Sequence, residues 1–187
     1  MSGSQFLDDS IALLERTPRV VHALLDGLPD AWLGETDTVG GWTTRDVVGH
    51  LISGELTDWI PRAEIIMRVG TSRPFDPFDR FAHEDRDRGV PLPELIDRFA
   101  TLRSEGIARL RVLVTDDTDL DRRGRHPELG KVTLRELIAT WAVHDLDHVA
   151  QIYSSLAASY DAEVGPWKAY LGILLRRDAV SEVEVNA

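Results

Sequence analysis

The stretch that decides the fold runs from Thr133 to Leu156 and reads TLRELIATWAVHDLDHVAQIYSSL. It opens with the pattern of a capping box, in which the side chains of Thr133 and Glu136 bind the free backbone N–H groups at a helix start. Apolar side chains and two histidines then recur at helical spacing, which places them on one face. That face comprises Leu134, Leu137, Trp141, His144, His148, Ile152 and Leu156. The stretch therefore predicts a long helix whose apolar side is buried.

Two histidines on this predicted helix are four residues apart, so His144 and His148 can reach the same point. A third histidine, His50, lies on the apolar stripe of an earlier predicted helix. Buried imidazoles need partners for their ring nitrogens, and one divalent ion bound by all three would satisfy them together. The pattern therefore predicts a three-histidine metal site. The alternative is that each histidine is a hydrogen-bonded core residue.

Two aspartates on the same helix bear on the class of metal site. Asp145 stands where a metalloprotease helix carries its general-base glutamate, and its shorter side chain argues against that class. Asp145 or Asp147 could instead orient an imidazole by a hydrogen bond. For Asp145 we favour the simpler interpretation, an exposed position on the outer face of the helix.

Other residues near the histidines are weaker candidates for binding a ligand. Trp141 and Gln151 each lie one turn from a histidine and could line a pocket; core packing or a helix–helix hydrogen bond is the alternative. His83, in a loop, is a third weak pocket candidate. We interpret His22 and His126 as surface or packing residues. Trp42 and Trp59 are interpreted as core residues.

Three further stretches have the apolar spacing of helices. They run from Gln5 to about Leu28 with a break at Thr17-Pro18, from Thr43 to Val69 with a kink at Pro61, and from Pro93 to about Val114. Four amphipathic helices can bury their stripes only against one another, which predicts an all-α four-helix bundle. The loops between them are too long for tight hairpins, so crossover connections are expected. Residues 71–90 form either a pocket wall or a cover for the core.

The ends and the length of the chain complete the predicted organisation. The 187 residues suffice for one domain, with its core at about residues 17–157. A short extra helix is expected over Pro166–Arg176. The tail, residues 178–187, is predicted to be frayed.

Composition excludes several classes of function. The chain has no cysteine, so neither a protein thiolate nor a cysteine zinc site is possible, and its net charge of −11 disfavours binding to nucleic acid. No apolar stretch is long enough to span a membrane. The N-terminus lacks the pattern of a secretory signal, and a cytoplasmic location is therefore expected. A small molecule is the expected partner.

Three segments carry a resemblance to a known family. GWTTRDVVGHL (Gly41–Leu51), TLREL (Thr133–Leu137) and HDLDHVAQI (His144–Ile152) together resemble the DinB-like superfamily. The resemblance extends over about residues 17–157, and the two histidine-bearing segments are its specific part.

The resemblance implies a four-helix bundle with crossed-over connections that often forms a homodimer. It also implies a divalent metal ion, usually zinc, nickel or iron, on three histidines, which match His50, His144 and His148 without departure. Similar proteins include thiol S-transferases that use mycothiol, bacillithiol or related low-molecular-weight thiols, and a mycothiol-dependent maleylpyruvate isomerase.

Three neutral imidazoles leave the charge of a bound cation uncompensated, which favours an anionic ligand such as a thiolate or hydroxide. The first hypothesis is therefore a metal-dependent thiol S-transferase in which the ion activates a low-molecular-weight thiol. The alternatives are a metal-dependent hydrolase or isomerase, and a metal-binding stress protein without turnover. A hydrolase needs a general base, and no residue stands out for that role in the sequence.

Overall fold

The structure is a computed structural model that describes residues 2–34, 36 and 41–175. Its α-helices are α1 (Gly3–Leu14), α2 (Thr17–Leu25), α3 (Asp30–Leu33), α4 (Thr44–Thr57), α5 (Trp59–Val69), α6 (Ala82–Arg86), α7 (Leu92–Leu113) and α8 (Leu134–Ala158). Two 3-10 helices cover Asp117–Asp121 and Gly165–Tyr170, and two short strands are β1 (Arg123–His126) and β2 (Gly130–Thr133). None of the described helices is both long and apolar enough to cross a membrane.

Four helical rods form the bundle and confirm the predicted fold class. They are α1 with α2, α4 with α5, α7, and α8. The pair α4–α5 packs against both α7 and α8, while α1 and α2 contact the same two helices from the other side. The core has one cluster around Trp59 and Trp141. A second cluster surrounds Leu51, Phe99 and Ile152.

Both predicted helix breaks are present, with differences in detail. The first helical stretch divides at Thr17 as expected, although Thr17 is a buried first residue of α2 and no side chain caps that helix. The second stretch divides at Asp58, and Pro61 lies in the first turn of α5. The expected kink at Pro61 is therefore wrong: a proline in the first turn removes an N–H that has no helical partner, and so costs little there.

A β-hairpin between α7 and α8 was not expected from the sequence. Strands β1 and β2 pair antiparallel, with Gly124 opposite Val132. A side chain at Gly124 would lie 2.5 Å from the ring of Phe75, so only glycine allows the hairpin to pack this closely. The backbone N–H of Phe75 donates to the carbonyl of Arg125 at 2.9 Å. These contacts attach the segment after α5 to the hairpin.

The segments outside the four rods also differ from their predictions. The stretch over 71–90 is not wholly irregular, since it contains α6. The expected C-terminal helix begins instead as the 3-10 helix Gly165–Tyr170, followed by helical residues 172–175. The predicted frayed tail, residues 178–187, lies outside the described residues.

Candidate metal centre and adjoining pocket

Two well-capped helices place the three predicted histidines. In α4, Thr43 and Asp46 form a capping box, and the helix carries His50 at its seventh residue. In α8, Thr133 and Glu136 form the same motif, as the sequence predicted. The two helices are in contact within the bundle. Because a capping box fixes where a helix begins, it also fixes which residues face the core.

The structure brings His50, His144 and His148 together. The Nε2 atom of His144 lies 3.1 Å from the Nε2 atom of His50 and 3.1 Å from that of His148. One nitrogen from each ring lies within 4.8 Å of the others, an arrangement that could hold a metal ion. His50 is buried, with 6% of its surface exposed.

The spacing of the nitrogens fits a divalent ion. Two nitrogens at about 2.0–2.1 Å from one ion and 3.1 Å from each other subtend about 95–100° at the ion. That angle lies between the octahedral and tetrahedral values. The donor set, three imidazoles without a carboxylate or thiolate, also suits zinc, nickel or iron.

Hydrogen bonds alone cannot provide a partner for each of the three facing Nε2 atoms. The Nδ1 atom of His148 lies 2.9 Å from the Oε1 atom of Gln151 and donates to it. The Nε2 atom of His148 therefore carries a lone pair in the neutral ring. His144 has at most one proton on Nε2 and cannot donate to both of its 3.1 Å neighbours. A cation accepts all three lone pairs, which favours the metal site over a hydrogen-bonded core cluster.

Burial keeps the three imidazoles neutral, the form that binds metal. Desolvation, with a smaller contribution from the neighbouring His148, lowers the pKa of His50 to about 3. Desolvation and the other two histidines lower the pKa of His144 to about 3. Desolvation also lowers the pKa of His148, and its hydrogen bond to Gln151 partly opposes that effect. The site is therefore prepared for a cation near neutral pH.

A buried ion network lies behind the centre, and it corrects the interpretation of Asp145. Asp145 is fully buried and not exposed. Its carboxylate pairs with Arg103 of α7, which also binds Glu55 of α4 at 2.8 Å. The indole N–H of Trp141 donates to the same Glu55 at 3.1 Å. Asp145 thus binds a guanidinium rather than orienting an imidazole. Arg103 also donates to the backbone carbonyl of Leu14 in α1 at 2.9 Å, so its contacts join all four rods.

A pocket of about 380 Å³ opens beside the three histidines. Its walls are largely aromatic and include Trp42, Trp59, Phe75 and Phe78. Phe75 and Phe78 belong to the 71–90 segment, which is therefore a pocket wall as well as a cover. The hairpin contributes His126, Leu129 and Val132, and α8 contributes Glu136, Leu137 and Thr140.

The three pocket candidates from the sequence lie outside the lining of this pocket. Trp141 does not line the pocket but stacks on Trp59 beneath it, at 5.8 Å between ring centroids. Gln151 does not line it either and acts through its bond to His148. His83 is buried against Trp42 at 5.2 Å, facing a small separate hollow.

Three rings that we interpreted as packing residues do line the pocket. Trp42 contacts the ring of His50 and Trp59 that of His144, at 4.5 Å and 5.0 Å between ring centroids. His126 reaches the pocket from β1. The sequence carried no signal for His126, because its position depends on the hairpin.

One carboxylate in the pocket was missed by sequence reasoning. Asp58, between α4 and α5, is 7% exposed and lines the pocket together with the three histidines. Its Oδ1 atom lies 2.7 Å from the Nε atom of Arg62. Burial raises the pKa of Asp58 to about 6, although Arg62 acts in the opposite direction. Asp58 lies at the break between α4 and α5. From the sequence we expected this break at Pro61, three residues later.

Comparisons with known proteins agree with the family resemblance and the fold. A sequence model of the DinB superfamily matches residues 13–152. A protein of Oceanobacillus iheyensis named "Putative metal-dependent hydrolase" is 26% identical over 149 residues, covering 79% of this chain and 84% of its own length. A Bacillus mycoides protein of the same description is 27% identical over 152 residues, covering 80% and 85%.

A solved structure is similar over most of the bundle. YfiT from Bacillus subtilis, described as "a probable metal-dependent hydrolase with an unusual four-helix bundle topology", superposes with a TM-score of 0.72 at 24% identity. The match covers 82% of this chain and 87% of YfiT. At this identity the likeness concerns the fold.

Proposed function

Because this chain belongs to the DinB superfamily, we propose that it is a metal-dependent enzyme acting on a small molecule, with one divalent ion held by His50, His144 and His148. The observation that carries the proposal is the convergence of three neutral imidazoles beside an aromatic pocket. When bound, the ion supplies Lewis acidity that favours the deprotonated form of a water molecule or thiol at neutral pH.

The chain's own residues define what the pocket accepts. Trp42, Trp59, Phe75 and Phe78 offer apolar surfaces to a substrate, and its volume of about 380 Å³ suits a small organic molecule. A substrate that fills the pocket would displace water from between these walls, which strengthens electrostatic interactions there. Gln151 holds the tautomer of His148 that leaves Nε2 free to bind.

Hydrolysis is our first candidate reaction, with water as the nucleophile. Asp58 supports it, because a carboxylate with a pKa of about 6 is ionised near neutral pH and can accept a proton from water. Asp58 shares the pocket with the three histidines. The names of the Oceanobacillus and Bacillus relatives point to the same reaction class.

A thiol S-transferase, the first hypothesis from the sequence, is the second candidate. The composition of the donor set favours it: three imidazoles and no carboxylate leave the cation's charge for an external anion such as a thiolate. The thiol would come from a low-molecular-weight cofactor, since the chain has no cysteine. Asp58 is not required in this reaction if the thiol binds already ionised.

Metal binding is tested first, by elemental analysis of protein produced with zinc, nickel and iron supplied. We expect close to one divalent ion per chain, and loss of that ion in His148→Ala. His22→Ala is the matched control, because His22 is exposed and outside the centre. Wild-type protein that retains no ion, or a His148→Ala variant that retains a full complement with native helicity, would contradict the proposed centre.

The reaction is tested on the metal-loaded protein with two sets of compounds. Small apolar esters and amides without added thiol test hydrolysis, while a panel of low-molecular-weight thiols with an electrophilic acceptor tests transfer. Turnover that stops on chelation and needs no thiol indicates a hydrolase. Turnover that requires one thiol, together with thermal stabilisation by that thiol, indicates a transferase. Metal-loaded protein inactive with both sets would favour the non-catalytic alternative over an enzyme.

A further inference from the structure

Among the described residues, one arginine of the pocket lacks a counterion. Arg62 and Arg80 both line the pocket beside the three histidines. Arg62 is buried and bonded to Asp58 at 2.7 Å. Arg80 is exposed, and no carboxylate in the described part of the chain pairs with its guanidinium. Arg80 can therefore bind an anion that enters the pocket from solvent.

Aromatic contacts hold Arg80 at the pocket. Its guanidinium carbon lies 5.1 Å from the ring centre of Trp42 and 5.2 Å from that of Phe81. Trp42 is itself 4.5 Å from the ring centre of His50, so the guanidinium lies within roughly 10 Å of that imidazole. Cation–π contacts order the side chain before a ligand arrives, which lowers the entropic cost of binding. A small molecule can therefore reach from Arg80 to the candidate centre.

The acidic side chains that line the pocket already have partners. Asp58 pairs with Arg62, and one carboxylate oxygen of Glu136 accepts from the backbone N–H and the hydroxyl of Thr133. A divalent ion on three neutral imidazoles would add two positive charges that its ligands do not balance. The loaded pocket would then be positive on a chain of net charge −11. Such a pocket attracts an anionic substrate.

Arg80 and the histidine cluster share one electrostatic environment. Desolvation is the main cause of the lowered pKa of His50 and of His148, and the positive charge of Arg80 adds to it at both. Charges interact more strongly across an apolar pocket than through water. An anion between Arg80 and the centre would therefore be attracted from both sides.

Resting on the metal-dependent function proposed above, we propose that the substrate is a small organic acid whose carboxylate binds Arg80 while its reacting group lies at the three histidines. The planar fork of N–H donors on a guanidinium matches the two oxygens of a carboxylate. The aromatic walls, among them Trp42 and Phe78, contact the apolar body of the substrate. Arg80 thus determines specificity and transfers no proton.

The inference is tested by the binding of paired metal-chelating probes, without turnover. The monohydroxamates of succinic, glutaric and adipic acid carry a carboxylate at three distances from the group that chelates the ion. Their terminal amides are neutral and nearly the same shape. On metal-loaded protein, we expect calorimetry to show that the best carboxylate binds about tenfold more tightly than its amide, as hydrogen bonds to charged groups allow.

Variants assign this preference to Arg80. Arg80→Gln should bring the ratio of the two affinities close to one. Arg80→Lys, which keeps the charge without the fork, should retain part of it. Arg68→Gln is the matched control, because Arg68 is exposed on α5 and does not line the pocket. Its ratio should equal that of wild type, and unchanged melting temperatures should show that all three variants fold.

Two results overturn the inference. One is a wild-type ratio near one for all three lengths, and the other is a preference for the carboxylate that persists undiminished in Arg80→Gln. The proposed centre is judged separately, from the amide probes, whose affinity should fall when the ion is removed by a chelator. If it does not fall, the ratio in metal-free protein still decides the role of Arg80, because the charge of its guanidinium does not depend on the ion.

Discussion

Replacing Asp58 by asparagine should stabilise the protein near neutral pH while it impairs hydrolysis. The pKa of this buried carboxyl is raised from 3.8 to about 6. At about 1.4 kcal/mol per pH unit, the ionised carboxylate then costs the folded state about 3 kcal/mol. This value already includes the attraction of Arg62, because the ion pair contributes to the pKa. Asparagine resembles the protonated carboxyl and avoids the cost.

The sign of the effect fixes its pH dependence. A carboxyl whose pKa is higher in the folded state binds its proton more tightly there, so its stabilising contribution is complete below pH 3.8 and is lost as the pH rises through about 6. The gain of Asp58→Asn over wild type should therefore be close to zero near pH 4. Above pH 6 it should approach its full value of about 3 kcal/mol.

Urea denaturation from pH 4 to pH 8, with a chelator present so that metal release does not contribute, measures this difference. Asp97→Asn, which replaces an exposed carboxylate on α7, is the matched control and should show no comparable gain. If Asp58→Asn were equally stable relative to wild type at both ends of the range, or less stable at pH 8, the argument from desolvation would be refuted. Loss of esterase or amidase turnover in the same variant would support the role of Asp58 as a proton acceptor.

Three further outcomes follow from the contacts described above. Arg103→Met leaves two carboxylates buried without their cation and should lower the free energy of unfolding by about 3–5 kcal/mol; a change below 1 kcal/mol in urea denaturation would show that the network is not stabilising. Gln151→Leu frees Nδ1 of His148 and should weaken metal binding by about 10–100-fold in a chelator competition, with helicity retained; unchanged affinity would contradict its positioning role. Gly124→Ala places a methyl group 2.5 Å from the Phe75 ring and should cost about 1–3 kcal/mol by thermal unfolding; an unaltered melting temperature would mean that the hairpin shifts freely.

The clustering of the three histidines could be predicted from the sequence because it depends on local rules. Helical spacing puts His144 and His148 on one face, and the capping box at Thr133 fixes the start of their helix. His50 follows a second capping box at Thr43 in the same way. The remaining step, that the two helices are neighbours, is nearly forced in a bundle of four rods.

The buried charges were missed because charged residues are assumed to face water. Phe99 and Arg103 of α7 are four residues apart, so Arg103 continues the buried side of that helix. Asp145 follows His144 directly and flanks the same inward face. The helical positions of Arg103 and Asp145 therefore indicated burial. We gave more weight to the general preference of charged side chains for solvent. Two or more charges of opposite sign at core spacing on different helices are evidence for a buried network.

The pocket could not be predicted for a different reason, and the difference bears on function. Part of its wall comes from the hairpin and from the 71–90 segment, which the contact between Phe75 and Gly124 holds together. Neither segment has a local pattern that fixes its position. The histidines of the candidate centre therefore lie on the most predictable helices, whereas Phe75 and His126, which line the pocket, lie on the least predictable segments. Substitutions in those segments can reshape the pocket without moving the three histidines, so a shared histidine cluster among similar proteins does not imply a shared reaction.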